Sequence, residues 1–166
     1  SLTTFNNVSI SPGGILTGRI NDNFIMTGNW INNGAFIYNG GGVIFDGNSL
    51  VSGSNQTVFG NVLINENHSL TSPDSEPMGV ALDFINNGTF NHNNGTLVFT
   101  GDLQVIGGSS TTLFENITVE SGSQTTLSNP GEALRGIVLS RGVLNTNENL
   151  TLLSDASRTA LIDGTG

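Results

Sequence analysis

The residues of this chain that could do acid–base chemistry are scattered carboxylates. A pair of Asp or Glu side chains can cleave a glycosidic bond when one acts as the acid and the other as base or nucleophile. The candidates for such a pair, or for a lyase site, are Asp22, Asp83, Glu115 and Glu120. No two of them lie with Arg or His in a repeated or locally concentrated pattern. The sequence therefore predicts no catalytic residues, and we expect no enzyme activity.

Two aspartates are candidates for a cation site because they fall near equivalent places in a repeated segment. Stacked carboxylates could hold Ca²⁺, which takes several oxygen ligands. However, Asp46 precedes Gly47 whereas Asp102 follows Gly101, so the two do not occupy the same repeat position. A solvated turn carboxylate is the simpler interpretation of each. We therefore predict no metal site and no cofactor, and Ca²⁺ is the one cation that this pattern could bind.

Two histidines and two large aromatic residues complete the set of candidates. His68 and His92 fall in different repeat positions and lack nearby Cys or spaced Asp and Glu partners. The sequence therefore favours surface turns for both over metal ligands or general bases. Trp30 and Tyr38 could stack on sugars if they are exposed. Aromatic residues in repeats usually belong to the core, and this is the favoured interpretation.

The composition excludes several classes of partner. The 166-residue chain has a formal net charge of −9, four arginines, no lysine and no cysteine. Nucleic acid is not expected as a partner, because neutralising phosphates requires Lys and Arg. No apolar run approaches the roughly 20 residues of a membrane span, so we expect no membrane insertion. Because Ser1 is not Met, and because the sequence around Asp163 resembles an arbitrary cut, we expect a fragment or a processed product.

An internal repeat is the main sequence signal for the elements that hold these residues. The segment Ile31–Phe36 recurs as Ile85–Phe90, an offset of 54 residues. The same offset carries Gly53 to Gly107, and it becomes 55 where Thr57 meets Thr112. We therefore place one extra residue between Gly107 and Thr112, in a segment with loop composition, where insertion is cheap.

The repeat units contain several short strands and no segment with helical periodicity. Apolar residues alternate in short runs bounded by Gly, Asn, Ser or Asp, which is typical of strands and turns. We divide the chain into the tail of a preceding repeat, two full repeats and a divergent coil or cap, at residues 1–23, 24–78, 79–131 and 132–166. Such units bury their apolar faces by stacking. The sequence predicts one all-β domain, a β-solenoid of about seven to nine coils with about 18–22 residues each.

Equivalent aromatic residues are expected to stack along the axis of this solenoid. Phe36 with Phe90, and Phe45 with Phe99, are the candidate ladders. The competing architecture is an array of two β-sandwich domains, with residues 72–77 as the linker. Low charge, Gly and Asn turns, and the absence of a convincing linker favour the solenoid, in which residues 72–77 form a lateral loop.

Two segments resemble repeats in large secreted surface proteins of Bacteroidetes. These are Gly28–Phe36, continued by Gly42–Gly47, and Gly142–Leu152, continued by Ser154–Ala156. Such proteins are adhesin-like, and many carry a C-terminal sorting domain for type IX secretion, which this chain lacks. The resemblance implies an extracellular or cell-surface location and no shared catalytic residues.

The function expected from these observations is structural. We expect a stiff repeat module of an extracellular bacterial surface protein or fibre, whose partners are neighbouring repeats or copies of the same protein and, as a further option, surface glycans. The alternative is a carbohydrate-binding or carbohydrate-cleaving β-helix. An ice-binding solenoid ranks lowest, because it needs regular Thr ladders and the threonines of this chain are scattered.

Overall fold

The protein is all-β in the computed structural model, which describes residues 2–120 and 122–165. Within those residues there is no helix, and every strand pairing is parallel. The strands are β1 (Thr3–Phe5), β2 (Val8–Ile10), β3 (Ile15–Thr17), β4 (Phe24–Met26), β5 (Trp30–Asn32), β6 (Ala35–Ile37), β7 (Val43–Phe45), β8 (Asn48–Ser52), β9 (Thr57–Phe59), β10 (Val62–Ile64), β11 (Ser69–Thr71), β12 (Met78–Val80), β13 (Phe84–Asn86), β14 (Thr89–Asn91), β15 (Thr96–Phe99), β16 (Leu103–Gly107), β17 (Thr112–Phe114), β18 (Asn116–Val119), β19 (Gln124–Leu127), β20 (Gly131–Ala133), β21 (Gly136–Ser140), β22 (Val143–Asn145), β23 (Leu150–Leu152) and β24 (Leu161–Thr165).

These strands wind into a β-solenoid with three faces. Face A is one eight-stranded sheet made of every third strand from β1 to β22. Face B runs from β2 to β23 and is divided between β14 and β17, and face C runs from β3 to β24 and is divided between β6 and β9. Each layer contains one strand of every face, so the 24 strands form eight layers, which are seven complete turns and most of an eighth. The predicted β-solenoid is confirmed, and the two-sandwich alternative is wrong.

Short alternating strands explain why the chain encloses a single core. In β7, Val43 and Phe45 are buried while Ile44 between them faces outward and is half-buried, as the two-residue period of a strand requires. Paired strands lie 19 residues apart from Phe24 to Val43 and 22 apart from Val62 to Phe84, within the predicted coil length, whereas the last coil, from Gly136 to Leu161, is longer at 25 residues. One continuous cluster of buried side chains extends from Ile10 to Leu127.

Asparagine side chains hold the corners together where the backbone leaves the sheets. The side-chain oxygen of Asn7 accepts a hydrogen bond from the backbone N–H of Asn29 at 2.7 Å. Asn61 accepts in the same way from the N–H of Asp83 at 2.9 Å, in the next layer. These bonds give the corner N–H groups a partner in the adjacent layer, where the sheet pairing is interrupted. The need for them explains why asparagine is so frequent in the sequence.

The sequence repeat is out of step with the layers. One 54-residue repeat contains eight strands, since β5 (Trp30–Asn32) corresponds to β13 (Phe84–Asn86). Eight is not a multiple of three, so β5 lies on face B and β13 on face A. Successive copies of the repeat therefore present the same residues on different faces.

The predicted aromatic ladders are wrong for this reason. Phe45 lies on face A and Phe99 on face C, although both are buried as expected. Phe36 instead contacts Trp30 of its own copy, with ring centroids 4.7 Å apart. The equivalent ring of the next copy, Phe90, contacts Phe84 at 5.2 Å. Each copy thus builds its own aromatic cluster.

The extra residue of the second copy lies earlier than the sequence predicted. Gly53 corresponds to Gly108, not Gly107, because both have a positive φ, +126° for Gly53 and +119° for Gly108. An added Cβ on Gly53 would lie 2.1 Å from the backbone oxygen of Asn32, and one on Gly108 would lie 2.1 Å from that of Asn86. Gly47 and Gly101 still match at an offset of 54, each with its Cβ position 2.2 Å from a carbonyl oxygen of the previous layer. The insertion therefore falls after Gly101 and before Gly108, near the corner where β16 begins.

The remaining segments continue the same stack. Residues 72–77 form a lateral loop between β11 and β12, and the Ser72 hydroxyl donates to the carbonyl oxygen of His92 at 2.7 Å. Residues 132–165 also belong to the solenoid, because β21 and β24 pair in register with the strands below them. The divergent end of the sequence is therefore a variant of the coil.

Candidate functional site

The densest group of charged side chains lies at the corner where the chain passes from face B to face C. Glu115 is only 3% exposed and accepts from Arg135, with Nε 2.5 Å from Oε1. Arg158 places Nη1 3.7 Å from Oε2, and His92 places Nδ1 3.4 Å from the same oxygen. We call these four residues the corner cluster. Two of the four arginines of the chain are gathered on one buried carboxylate.

The solenoid winding brings the corner cluster together. His92 follows β14, Glu115 follows β17, Arg135 follows β20, and Arg158 lies between β23 and β24. All four positions are therefore the same corner in four successive layers. Glu115 is the one candidate carboxylate that has Arg and His partners here, and they come from other layers rather than from its neighbours in the sequence. The signal that could have found the cluster is the spacing of 23, 20 and 23 residues, one turn of the solenoid in each case.

The corner cluster favours a clamp between layers over a reactive group. A buried carboxylate requires compensation, and the two guanidinium groups supply it. Apart from the ion pairs, Oε2 has no hydrogen-bond partner. Nδ1 of His92 accepts from the N–H of Asn94 at 3.2 Å in its neutral form, whereas a protonated Nδ1 would donate to Oε2 instead. The cluster therefore joins four layers through their side chains.

Removing the charge of Glu115 is expected to weaken this clamp. Glu115→Gln should lower the free energy of unfolding by about 1–2 kcal/mol. This loss is smaller than that for a fully buried ion pair, because the side chain of Arg135 is 58% exposed and its guanidinium group can be hydrated by solvent. Urea denaturation followed by circular dichroism measures the change. Glu66→Gln, on an exposed turn, is the matched control and should change stability by less than about 0.5 kcal/mol. Equal effects of the two substitutions would contradict the clamp.

The loop that carries Arg158 is organised by Asp155. The side-chain hydroxyl and the backbone N–H of Ser157 both donate to Oδ1 of Asp155 at 2.7 Å, and the N–H of Arg158 donates at 2.9 Å. Hydrogen bonds from the side chain and then the backbone of Ser157 lower the pKa of Asp155 below its ordinary value of 3.8. The loop is thereby held in the conformation that directs Arg158 toward Glu115.

Acid is expected to release this loop. Because the pKa of Asp155 is lower in the folded chain, its contribution is present at pH values above 3.8 and is lost as the pH falls through the lowered pKa. Hydrogen exchange at the amide of Arg158, corrected for its intrinsic pH dependence, should therefore lose protection in acid. In Asp155→Asn, whose amide oxygen still accepts but does not titrate in this range, the protection should not change between pH 5 and pH 2.

The other candidate carboxylates lie at two different corners of the solenoid. Four of them lie at the corner where the chain passes from face C to face A: Asp22, Asp83, Asp102 and Glu120. Asp46 lies at the corner from face A to face B. Asp46 and Asp102 are therefore not stacked on each other along the axis. Among the residues that the structure describes, no group of three His, Asp or Glu side chains could hold a metal ion.

Both histidines lie beside a carboxylate, contrary to the sequence analysis. His68 places Nε2 3.5 Å from Oδ1 of Asp46. The same oxygen accepts from the side-chain amide of Asn65 at 2.7 Å. This small group joins two adjacent layers in the same way as the corner cluster joins four.

The aromatic candidates for sugar binding differ in burial. Trp30 is fully buried, and its indole N–H donates to the hydroxyl of Thr57 at 3.2 Å. Sugar stacking on Trp30 is therefore wrong, and the favoured core interpretation holds. Tyr38 is half-buried and packs near Gly60, where an added Cβ would lie 3.2 Å from its ring.

The outer surface of face A carries an aliphatic stripe that the sequence analysis missed. The stripe consists of four half-buried, outward-facing residues in register on neighbouring strands of the sheet: Ile25, Ile44, Leu63 and Ile85. No charged residue occurs within the eight strands of face A. The signal was hidden because these residues are one turn apart and therefore belong to different places in the repeat.

Comparison with protein-family models, with curated proteins and with solved structures finds no match for this chain. The described part of the chain contains no helix long and apolar enough to cross a membrane.

Proposed function

We propose that this chain is a structural and adhesive repeat module of an extracellular bacterial surface protein or fibre, without catalytic activity. The observation that carries the proposal is the uninterrupted parallel sheet of face A, whose hydrogen bonds join all eight layers along the axis. Layers joined in this way resist bending, and each buries the apolar face of the next. The corner cluster supports the same role, because its side chains reinforce the contact between layers.

The proposed location and family follow from the sequence resemblance. Repeats similar to Gly28–Phe36 occur in secreted Bacteroidetes surface proteins, so we place this module on the cell surface or outside the cell. Its net charge of −9, which it has without any lysine, suits a surface that must remain soluble. Neighbouring repeats or further copies of the same protein are the proposed partners.

Surface labelling tests this location and role. An antibody fragment that recognises the exposed loop residues Asp74 and Ser75 should label intact cells that produce the protein. Cells producing a chain with both residues changed to alanine serve as the matched epitope control. Deleting the module should reduce attachment of the cells to surfaces. Labelling only after the cells are made permeable would contradict the proposal.

Glycan binding is the second candidate function, and the aliphatic stripe of face A favours it. The stripe contains no charged residue, and asparagines such as Asn23 and Asn61 precede its strands. The side-chain oxygen of each accepts a bond from the next layer, which leaves the amide N–H groups to donate to hydroxyl groups. A neutral polysaccharide has the hydroxyl acceptors and apolar ring faces that fit this surface.

A glycan array that includes neutral polysaccharides tests the second candidate. Leu63→Asp places a charge in the middle of the stripe and should weaken binding at least tenfold. Leu103→Asp is the matched control, because Leu103 also faces outward on face A but lies away from the stripe and is 77% exposed. No binding by the unmodified chain, or equal loss in both variants, would contradict glycan binding on face A.

A further inference from the structure

Two of the joints between neighbouring layers lack one of their three sheets in the described part of the chain. We number the layers 1 to 8 from β1, so that layer 2 holds β4–β6 and layer 5 holds β13–β15. Face C is not paired between β6 and β9, where layer 2 meets layer 3, and face B is not paired between β14 and β17, where layer 5 meets layer 6. We call these two places the interrupted joints. All three faces are paired at every other joint.

A second sheet is shortened at each interrupted joint. On face A between layers 5 and 6, the pairing is limited to Phe84–Ile85 with Ile106–Gly107. On face B between layers 2 and 3, the equivalent place in the other copy of the repeat, it is limited to Trp30–Ile31 with Val51–Ser52. The third face keeps its full ladder, β15 with β18 at one joint and β4 with β7 at the other. Because the same pattern occurs in both copies on different faces, it is a property of the repeat.

The unpaired face leaves backbone groups without ladder partners. Successive residues of a parallel strand bond alternately to the strand below and to the strand above. In β14 the N–H of Thr89 donates to the layer below, and in β17 the N–H of Thr112 donates to the layer above. Phe90 and Leu113 therefore turn their N–H and carbonyl groups toward the joint, and neither N–H has a partner among the residues that the structure describes. No ladder bond has to break when this face opens.

The corner between the shortened face and the unpaired face is held by one buried asparagine. The backbone oxygen of Asn86 accepts from the N–H of Ser110 at 3.0 Å, and its side-chain amide donates to the hydroxyl of Thr112 at 3.2 Å. Asn32 has the equivalent place at the other interrupted joint, where its side-chain amide donates to the carbonyl oxygen of Gln56 at 3.0 Å. Both asparagines are fully buried. Each corner therefore depends on the bonds of a single residue.

We propose, on the basis of the structural role given above, that the rod bends at the interrupted joints by opening the corner held by Asn86 or Asn32 and hinging on the fully paired face. Opening breaks few backbone bonds there, and the unpaired groups of Phe90 and Leu113 gain water as partners. The hinge is face C between layers 5 and 6 and face A between layers 2 and 3, so the two bends point in different directions. Between these joints the rod is stiff, because all three sheets are paired.

Hydrogen exchange along one corner of the unmodified 166-residue chain tests the hinge. At the corner from face A to face B, three backbone N–H groups each donate to a carbonyl oxygen of the layer below: Asn87 at 3.0 Å, Ser110 at 3.0 Å and Ser128 at 2.9 Å. Only the bond of Ser110 crosses an interrupted joint. Its amide should be about tenfold less protected than the other two, although Ser128 is the more exposed residue. Equal protection of the three, or a steady fall from Asn87 through Ser110 to Ser128, would overturn the hinge.

Thr112→Val tests whether Asn86 holds the corner. The substitution keeps the shape of the side chain and removes the hydroxyl that accepts from Asn86. Protection of the Ser110 amide should fall by a further factor of about five, and protection of Asn87 and of the other layers should not change. An unchanged Ser110, or an equal fall at every amide, would overturn the hinge.

Thr125→Val is the matched control for this substitution. The hydroxyl of Thr125 is also buried, but it has no hydrogen-bond partner in the described chain. Its removal should leave the protection of Ser110 unchanged. A loss at Ser110 equal to that in Thr112→Val would overturn the role of the Asn86 bond.

These measurements are independent of the test of the proposed function. Uniform protection along the corner overturns the hinge while the structural module stands. Failure to label the protein on intact cells contradicts the surface module and leaves the exchange pattern of the purified chain as it is.

Discussion

Gly53→Ala is expected to lower the free energy of unfolding by about 4 kcal/mol, because a steric clash adds to backbone strain. Gly53 has a φ of +126°, and a Cβ at this position would lie 2.1 Å from the backbone oxygen of Asn32 in the layer below. The two next nearest atoms also belong to the backbone of Asn32, so no side chain can move aside. The layers would have to separate locally. Urea denaturation followed by circular dichroism measures the loss.

Gly13→Ala is the matched control for this experiment. Gly13 also has a positive φ, +77°, but nothing lies within 4 Å of its Cβ position. Only the conformational term remains, so we expect a loss of about 1 kcal/mol. The difference between the two variants isolates the close approach of the layers. If both lose the same stability, the close contact at Gly53 does not constrain the stack.

Trp30→Ala is the second substitution with a large expected effect, a loss of about 3–5 kcal/mol. Trp30 is fully buried and contacts the rings of Phe24, Phe36 and Phe59, with centroids 5.8, 4.7 and 5.2 Å away. Its removal leaves a cavity among the three faces and takes the hydrogen-bond donor from the buried hydroxyl of Thr57. Unfolding is followed by circular dichroism, because Trp30 is the one tryptophan of the chain and its substitution removes the tryptophan fluorescence signal.

The repeat itself supplies the control for Trp30. Phe84 occupies the equivalent position in the next copy, packed against Phe90. Trp30→Phe should therefore keep most of the aromatic contact and lose about 1–2 kcal/mol, from a smaller ring and from the unpaired hydroxyl of Thr57. A loss in Trp30→Phe as large as that in Trp30→Ala would show that the aromatic cluster is not the source of the stability.

The fold could be predicted because its signals are local. Short alternating strands such as Val62–Ile64, and turns rich in Gly and Asn, are visible within a few residues. Low charge and the absence of a convincing linker favoured a solenoid over separate domains. The stacking partners could not be predicted, because they depend on how many strands a repeat contains. Phe45 and Phe99 match in sequence, but eight strands between copies place them on different faces.

The corner cluster was missed for a related reason. Glu115 occupies the position that Gly60 has in the previous copy, so comparison of the two copies does not identify it as a repeated residue. Its partners come from three other layers, and only the turn length relates His92 and Arg135 to it. The buried state of Trp30, by contrast, was the favoured interpretation from the sequence, because an aromatic residue in the same place recurred as Phe84.

The mismatch between repeat and layer also determines how surface groups are distributed around the rod. Each copy climbs two and two-thirds layers, about 13 Å at about 4.8 Å per layer, and is turned by one-third of a revolution. Equivalent groups, such as Ile31 on face B and Ile85 on face A, therefore trace a shallow spiral instead of a column. In any stretch that keeps this repeat, a given pattern returns to the same side only after three copies, about 38 Å. A large ligand could then contact equivalent groups from any direction around the rod, whereas a flat ligand would contact a different set of side chains on each face.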